Sequence, residues 1–195
     1  MNAMRHWYLT WGATPFEQNR AMPGDDLLPT PDMLSTRAVT IDALSEAIWP
    51  WLVQMGSGRG GAYSYDWIEN LFGLGVHTAD RILPEFQQLA VGDVLPLGAG
   101  GAGMRVEVLD QARTLVFRST DRRWVWTFGL YPLFGSTRLV SRNRIASPIT
   151  SRLVRAANRA VMEPGSLIME RKMLLGIKER AERSVPAAEW EPAWG

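Results

Sequence analysis

The run MGSGRGGAYSYDWIENLFG, Met55 to Gly73, decides the fold, because its first glycines can be read in two ways. Gly56, Gly58 and Gly61 fit G-x-G-x-x-G, the pattern that lays a pyrophosphate against a helix N-terminus. The same glycines also let a chain turn sharply and reach φ above zero at little cost. The dinucleotide reading needs a buried parallel strand before the loop and a β-α-β crossover around it. What precedes the loop is SEAIWPWLVQM, Ser45 to Met55, which puts Ala47, Ile48, Trp51, Leu52 and Met55 on one helical face. Ser45 is its expected N-cap and Gly56 its stop. Tyr63 to Phe72 reads as a second short helix, ended by Gly73. No Lys-Ser or Lys-Thr follows the glycines, so a P-loop is excluded too. The loop is therefore read as a turn between two helices.

Outward from this turn, the pattern changes twice. Before it, LSTRAVTID (Leu34–Asp42) is alternating and β-branched, a first strand. After it, from Gly92, five segments have period two: GDVLPLG, MRVEVLD, TLVFRST, RRWVWTFGLYPL and STRLVSRNRI. The short breaks between them force antiparallel neighbours, since parallel pairs need long crossovers. Helical patterning returns from about Ser151 to Val161 and again from Pro164 to Arg183, with Pro164 suited to a helix start. Residues 1–33 read as an arm. Pro15, Pro23, Pro29 and Pro31 are too closely spaced for a regular element. Trp7, Tyr8, Leu9, Trp11 and Phe16 are too apolar to stay in water, so the arm is expected to lie on the domain and bury its tryptophans. Residues 184–195 are expected to form a flexible tail. No internal repeat is visible.

Composition bounds the chemistry. A chain of 195 residues with 46% hydrophobic residues and nine Trp suits a single globular domain. It has no cysteine, so disulfides and thiolate chemistry are excluded. His6 and His77 are its two histidines, too few for an ordinary Cys/His zinc site. No run is apolar for long enough to span a membrane, and the N-terminal residues lack a signal peptide's apolar core. A cytoplasmic location and no integral membrane segment are expected. The formal net charge of +1 hides an acidic first half and a basic end. Glutamates interleave with the basic residues of that end, as on a solvated helix. Nucleic-acid binding is not expected, because the basic residues do not alternate with exposed aromatics.

The order is then strand, two short helices, a meander of antiparallel strands and a long terminal helix. This is the helix-grip order, an α+β fold in which a curved sheet wraps the last helix. IDALSEAIWPWLVQMGSGRGGAYSYDWIENLFG, HTADRILPEF and LAVGD resemble the SRPBCC superfamily of START-like and polyketide-cyclase-like proteins. The likeness is nearest to bacterial members carrying a YSYDW-x-EN segment, and it covers about residues 34–183. It implies a deep, mostly apolar cavity between sheet and helix that takes lipid-, polyketide- or steroid-like molecules. Fold alone does not give a reaction.

The residues offer lining for such a cavity. Trp124, Trp126, Phe128 and Leu130 share a face of one strand by alternation. Met162, Ser166, Met169, Met173 and Ile177 recur at three- and four-residue steps along the last helix. Flexible methionines beside rigid aromatics suit an adaptable apolar pocket. The same stripes also suit an ordinary core. Tyr63, Tyr65 and Trp67 are placed to offer side chains at the cavity. Arg142 is a candidate for a ligand carboxylate if it points inward. Arg142 and Arg144 share one strand face, with Asn143 on the other. An outward pair would belong to the surface. Asp66 and Glu69, at i and i+3, share a helix face, and His77 follows nearby. Together these three are candidate acid-base groups for a cyclase, dehydratase or hydrolase; in the structural alternative Asp66 and Glu69 pair with Arg59 or Arg81, and His77 caps a turn. No metal and no cofactor is expected. Three readings stand: a binder of a small hydrophobic molecule, an enzyme on a polyketide-like substrate, or a protein-interaction module.

Overall fold

A computed structural model describes residues 3–63, 78–97, 103–148 and 151–184. Six strands form one antiparallel sheet in the order β1-β6-β5-β4-β3-β2. They are β1 (Met33–Ile41), β2 (Val94–Pro96), β3 (Gly103–Asp110), β4 (Thr114–Ser119), β5 (Trp124–Leu133) and β6 (Ser136–Ile145). Each expected strand is present, and the expected short turns make β3 to β6 a meander. β1 closes the order by pairing with β6 over its whole length, from Met33 opposite Ile145 to Ile41 opposite Thr137.

The described helices are α1 (Ala3–Thr10), α2 (Pro15–Asn19), α3 (Ser45–Val53) and α4 (Arg152–Arg183). α4 packs against β1 and α3. Leu174, Ile177 and Ala181 on α4 are fully buried among Ile48 and Leu52 of α3 and Phe128 and Leu139 of the sheet. The result is the helix-grip α+β fold. The second short helix expected at Tyr63–Phe72 lies, past Tyr63, outside the described residues.

Two expectations about the helices need correction. α4 is one helix of 32 residues that runs through Pro164, not two pieces. Pro164 removes a bond to the carbonyl of Ala160, and Ala160 is exposed, so water can take that carbonyl. Leu44, not Ser45, is the N-cap residue of α3. The Ser45 hydroxyl faces Thr137 Oγ1 at 3.4 Å instead, and Thr137 in turn donates to the Ala43 carbonyl.

The arm is also more regular than its prolines suggest. Pro15 stands at the first turn of α2, where a missing N–H costs nothing. Thr14 and Glu17 close a capping box around it. The arm does lie on the domain, but Trp7 and Phe16 are 53% and 72% exposed, while Leu9 is buried. Met22 is buried against Ala38 and Val140, and polar contacts add to this hold. Trp11 presents its carbonyl to the Ala38 N–H on the outer edge of β1. There Gly12, at φ +72°, passes so close that a Cβ would meet the Ala38 carbonyl oxygen at 2.1 Å. The chain then crosses to the outer face of the sheet. Arg138 grips Glu17, and Arg142 and Arg144 both grip Asp25. The arm thus covers an edge that would otherwise offer its backbone to another strand.

Candidate ligand cavity

Alternation along β1, β5 and β6 sorts their side chains into two sets. Cross-strand register arranges the inward set in rows. Met33, Ile145 and Trp124 form one row. Ser35, Asn143, Trp126 and Phe117 form the next. Arg37, Ser141, Phe128 and Leu115 form a third. Above the first two rows lies a cavity of about 480 Å3, roofed by Met162, Ser166, Met169, Glu170 and Met173 of α4. Leu95 to Leu97 and Met104 close the far side, and Met55, Gly56, Ser57 and Ala62 close the end beside the glycine turn.

The glycine turn is thus a piece of cavity wall. Gly56, Gly58 and Gly61 all have positive φ. Four of its backbone donors are used locally: Gly56 N–H on the Gly61 carbonyl, Gly61 and Arg59 N–H on the Gly56 carbonyl, and Gly60 N–H on the Gln54 carbonyl. Arg59 stacks on Phe86 at 4.6 Å and donates to the carbonyls of Val53 and Phe86. Buried Gln54 fixes the turn from below, receiving the Leu83 N–H and donating to the Arg81 carbonyl.

Most of the wall is apolar, and its polar groups are tied to one another. Arg37, wholly buried on the inward face of β1, pairs with Glu170 of α4. It also donates to the Tyr8 carbonyl of α1 and to Ser166 Oγ. The other oxygen of Glu170 accepts from Ser141 Oγ at 2.6 Å and from Asn143 Nδ2 at 3.1 Å. The indole N–H of Trp124 donates to Asn143 Oδ1 at 2.7 Å, and that of Trp126 to Ser141 Oγ at 2.9 Å. With their N–H groups used, the two indoles stack at 5.3 Å and show the cavity flat apolar faces. Burial pushes the Glu170 carboxyl above its ordinary range, against the opposing pull of Arg37 and Ser141. Ser35 is the exception. It is 1% exposed and its hydroxyl has no hydrogen-bond partner among the described residues.

The sequence-expected residues separate cleanly. Trp124, Trp126, Met169 and Met173 line the cavity. Phe128 and Ile177 do not: both are wholly buried one layer deeper, in the packed core. Tyr63 is core too, its ring edge-on to Trp51 and its hydroxyl donating to the Trp51 carbonyl at 2.9 Å. Arg142 lies on the opposite face of the sheet. Its guanidinium donates to Thr36, to Asp25 and to the arm carbonyls of Glu17, Gln18 and Arg20, so it is not available to a ligand in the cavity. Tyr65, Asp66, Trp67, Glu69 and His77 lie outside the described residues. Sequence reasoning missed Ser35, Arg37 and Glu170. The available signal was an arginine on the inward phase of a strand and a glutamate inside the methionine stripe of α4.

Comparison with known proteins supports this fold. The chain matches no protein-family model, and no curated protein sequence matches it. Solved structures do match. A protein from Rhodobacter sphaeroides superposes with a TM-score of 0.52 at 15% identity, over 80% of this chain and 97% of the other. The KanY protein (ms6282) also gives 0.52, at 12% identity, over 78% of this chain and 99% of its own. DynU16, described as a putative protein in the dynemicin biosynthetic locus, gives 0.45 at 13% identity, over 74% of this chain and 47% of its own, too loose a likeness to bear on function. At these identities the shared property is the fold. No helix among the described residues is long and apolar enough to cross a membrane.

Proposed function

We propose that this protein binds a small hydrophobic molecule, of lipid-, polyketide- or steroid-like kind, in the cavity between sheet and α4. One observation carries the reading. A space of about 480 Å3 stands between Trp124, Trp126 and Phe117 on one side and Met162, Met169 and Met173 on the other. Volumes of roughly 300–1,000 Å3 with apolar walls and a few polar groups are those of small-molecule sites. Non-covalent binding is favoured over catalysis, because the one carboxylate in the described wall, Glu170, is held by Arg37, Ser141 and Asn143. Acid-base chemistry would rest on Asp66, Glu69 or His77. The helix-grip domain of residues 34–183, carrying the arm of residues 1–33 on its outside, is the unit we assign this binding to.

Native mass spectrometry of the purified protein tests the reading. A bound molecule that is released on unfolding, and lost in a variant with the cavity filled by Met169→Trp, is the expected result. Protein that arrives empty and takes up no apolar dye contradicts it.

A further inference from the structure

The cavity has a polarity of its own. Two charged side chains touch it among the described residues, Arg37 and Glu170, and they neutralise each other. The guanidinium is further engaged by the Tyr8 carbonyl, the Ser166 carbonyl and Ser166 Oγ. An anionic ligand would therefore meet a buried carboxylate and find no spare cation among the described residues, a costly arrangement in an apolar site. A cationic ligand would compete with Arg37 for a carboxylate that already accepts three bonds.

What remains is the Ser35 hydroxyl. It lines the cavity, is 1% exposed and has no hydrogen-bond partner among the described residues. Leaving a buried hydroxyl unbonded costs about 1–3 kcal/mol, so such a group marks a place where something else is meant to bond. Directly across the strand pair stands Asn143. Its Oδ1 is taken by Trp124 and one amide hydrogen by Glu170. Its second amide hydrogen has no partner among the described residues. Residues facing each other across antiparallel strands have Cβ atoms about 4.5–5.5 Å apart, close enough to share one ligand atom. Resting on the hydrophobic-ligand reading above, we propose that Ser35 and Asn143 form the polar end of the site and that its ligand is uncharged. The ligand would carry a neutral oxygen, a ketone, ester or hydroxyl, that accepts from both residues while its apolar body lies against Trp124 and Trp126.

Three probes of one shape test this: 2-acetylnaphthalene, its apolar analogue 2-isopropylnaphthalene, and the 2-naphthoate anion. Binding is read by quenching of tryptophan emission and by calorimetry, on the full chain. The ketone is expected to bind tighter than the hydrocarbon, and both tighter than the anion. Ser35→Ala should weaken the ketone about 3- to 10-fold, the worth of one hydrogen bond, and leave the hydrocarbon unchanged. Ser35→Thr should keep the ketone preference. Tightest binding of naphthoate overturns the inference, and so does equal binding of ketone and hydrocarbon with no response to Ser35→Ala. In both of those cases the cavity still binds apolar molecules and the broader reading survives. If none of the three binds, both readings fall together.

Discussion

Arg37 on β1 and Glu170 on α4 join sheet to helix as an ion pair whose side chains are 0% and 7% exposed. The pair forms one wall of the cavity, and through the Tyr8 carbonyl it also anchors α1. A buried pair of this kind adds little net stability over well-packed apolar groups, yet removing one partner strands the other.

Arg37→Met should therefore cost about 3–5 kcal/mol in urea unfolding. The double variant Arg37→Met, Glu170→Met should cost less than the single one. With the guanidinium gone, burial acts on the Glu170 carboxyl with less opposition, and its folded value rises further. An acid whose folded value is raised loses stability as pH climbs from its unfolded range towards that folded value. The loss in Arg37→Met should accordingly deepen as pH increases above about 4.5, the ordinary value from which the shift is reckoned.

Met169→Ala and Ile177→Ala should differ in kind. Ile177 is wholly buried against neighbours, so its truncation should cost about 2–5 kcal/mol. Met169 faces space that is already empty, so its loss should cost about 1 kcal/mol or less while changing which molecules the protein retains. Thermal melts paired with native mass spectrometry measure both. Equal melting losses with unchanged retention would make the methionine stripe plain core.

Acid should release the arm before the domain unfolds. Burial pushes the Glu17 carboxyl up, but bonds from Arg138 and Thr14 outweigh it and hold the group below its ordinary value. Such a group stabilises fully above the ordinary carboxylate range, and its contribution fades as pH falls through the lowered folded value. Hydrogen exchange across residues 3–20 should accelerate in that interval. Glu17→Gln, which cannot titrate, should exchange faster at neutral pH and show no such acid step.

Gly12→Ala should undock the same segment from the β1 edge. The new Cβ would sit 2.1 Å from the Ala38 carbonyl oxygen, at a φ of +72° that side chains rarely adopt. The expected penalty is about 1–3 kcal/mol, seen as faster exchange of the Ala38 amide with the rest of the sheet unchanged. Retained protection at Ala38 would mean that the Trp11 carbonyl is not what shields it.

Much of the fold was legible because its signals are local. Period-two alternation located every strand, and short turns dictated their antiparallel order. The two corrected helix features depend on tertiary context. Pro164 continues a helix where Ala160, whose carbonyl it leaves unpaired, is exposed, and Ser45 gives up capping where Thr137 lies opposite it. At the cavity, alternation found Trp124 and Trp126 and helical spacing found Met169 and Met173. Neither could tell wall from core, which is why Phe128 and Ile177 were grouped with them. That boundary depends on how far α4 stands off each row of the sheet, and no periodicity encodes a distance. The ligand role given to Arg142 on condition that it point inward falls away, because it takes the outward alternative. Its partners are arm residues more than a hundred positions earlier, and nothing in the strand's own pattern announces them.

The pairing of β1 with β6 has a consequence for how the chain reaches this state. Met33 finds its partner only at Ile145, and Glu17 finds Arg138 across a similar span. The hairpins of the meander can form as soon as their own residues exist, but joining the two ends of this chain closes a loop of more than a hundred residues, with the entropy that demands. Assembly should therefore proceed from the middle outward, with β1 adding to a preformed β3–β6 ribbon and the arm sealing last. Slow final steps, and a late intermediate with one bare strand, are what kinetic experiments on this topology should encounter.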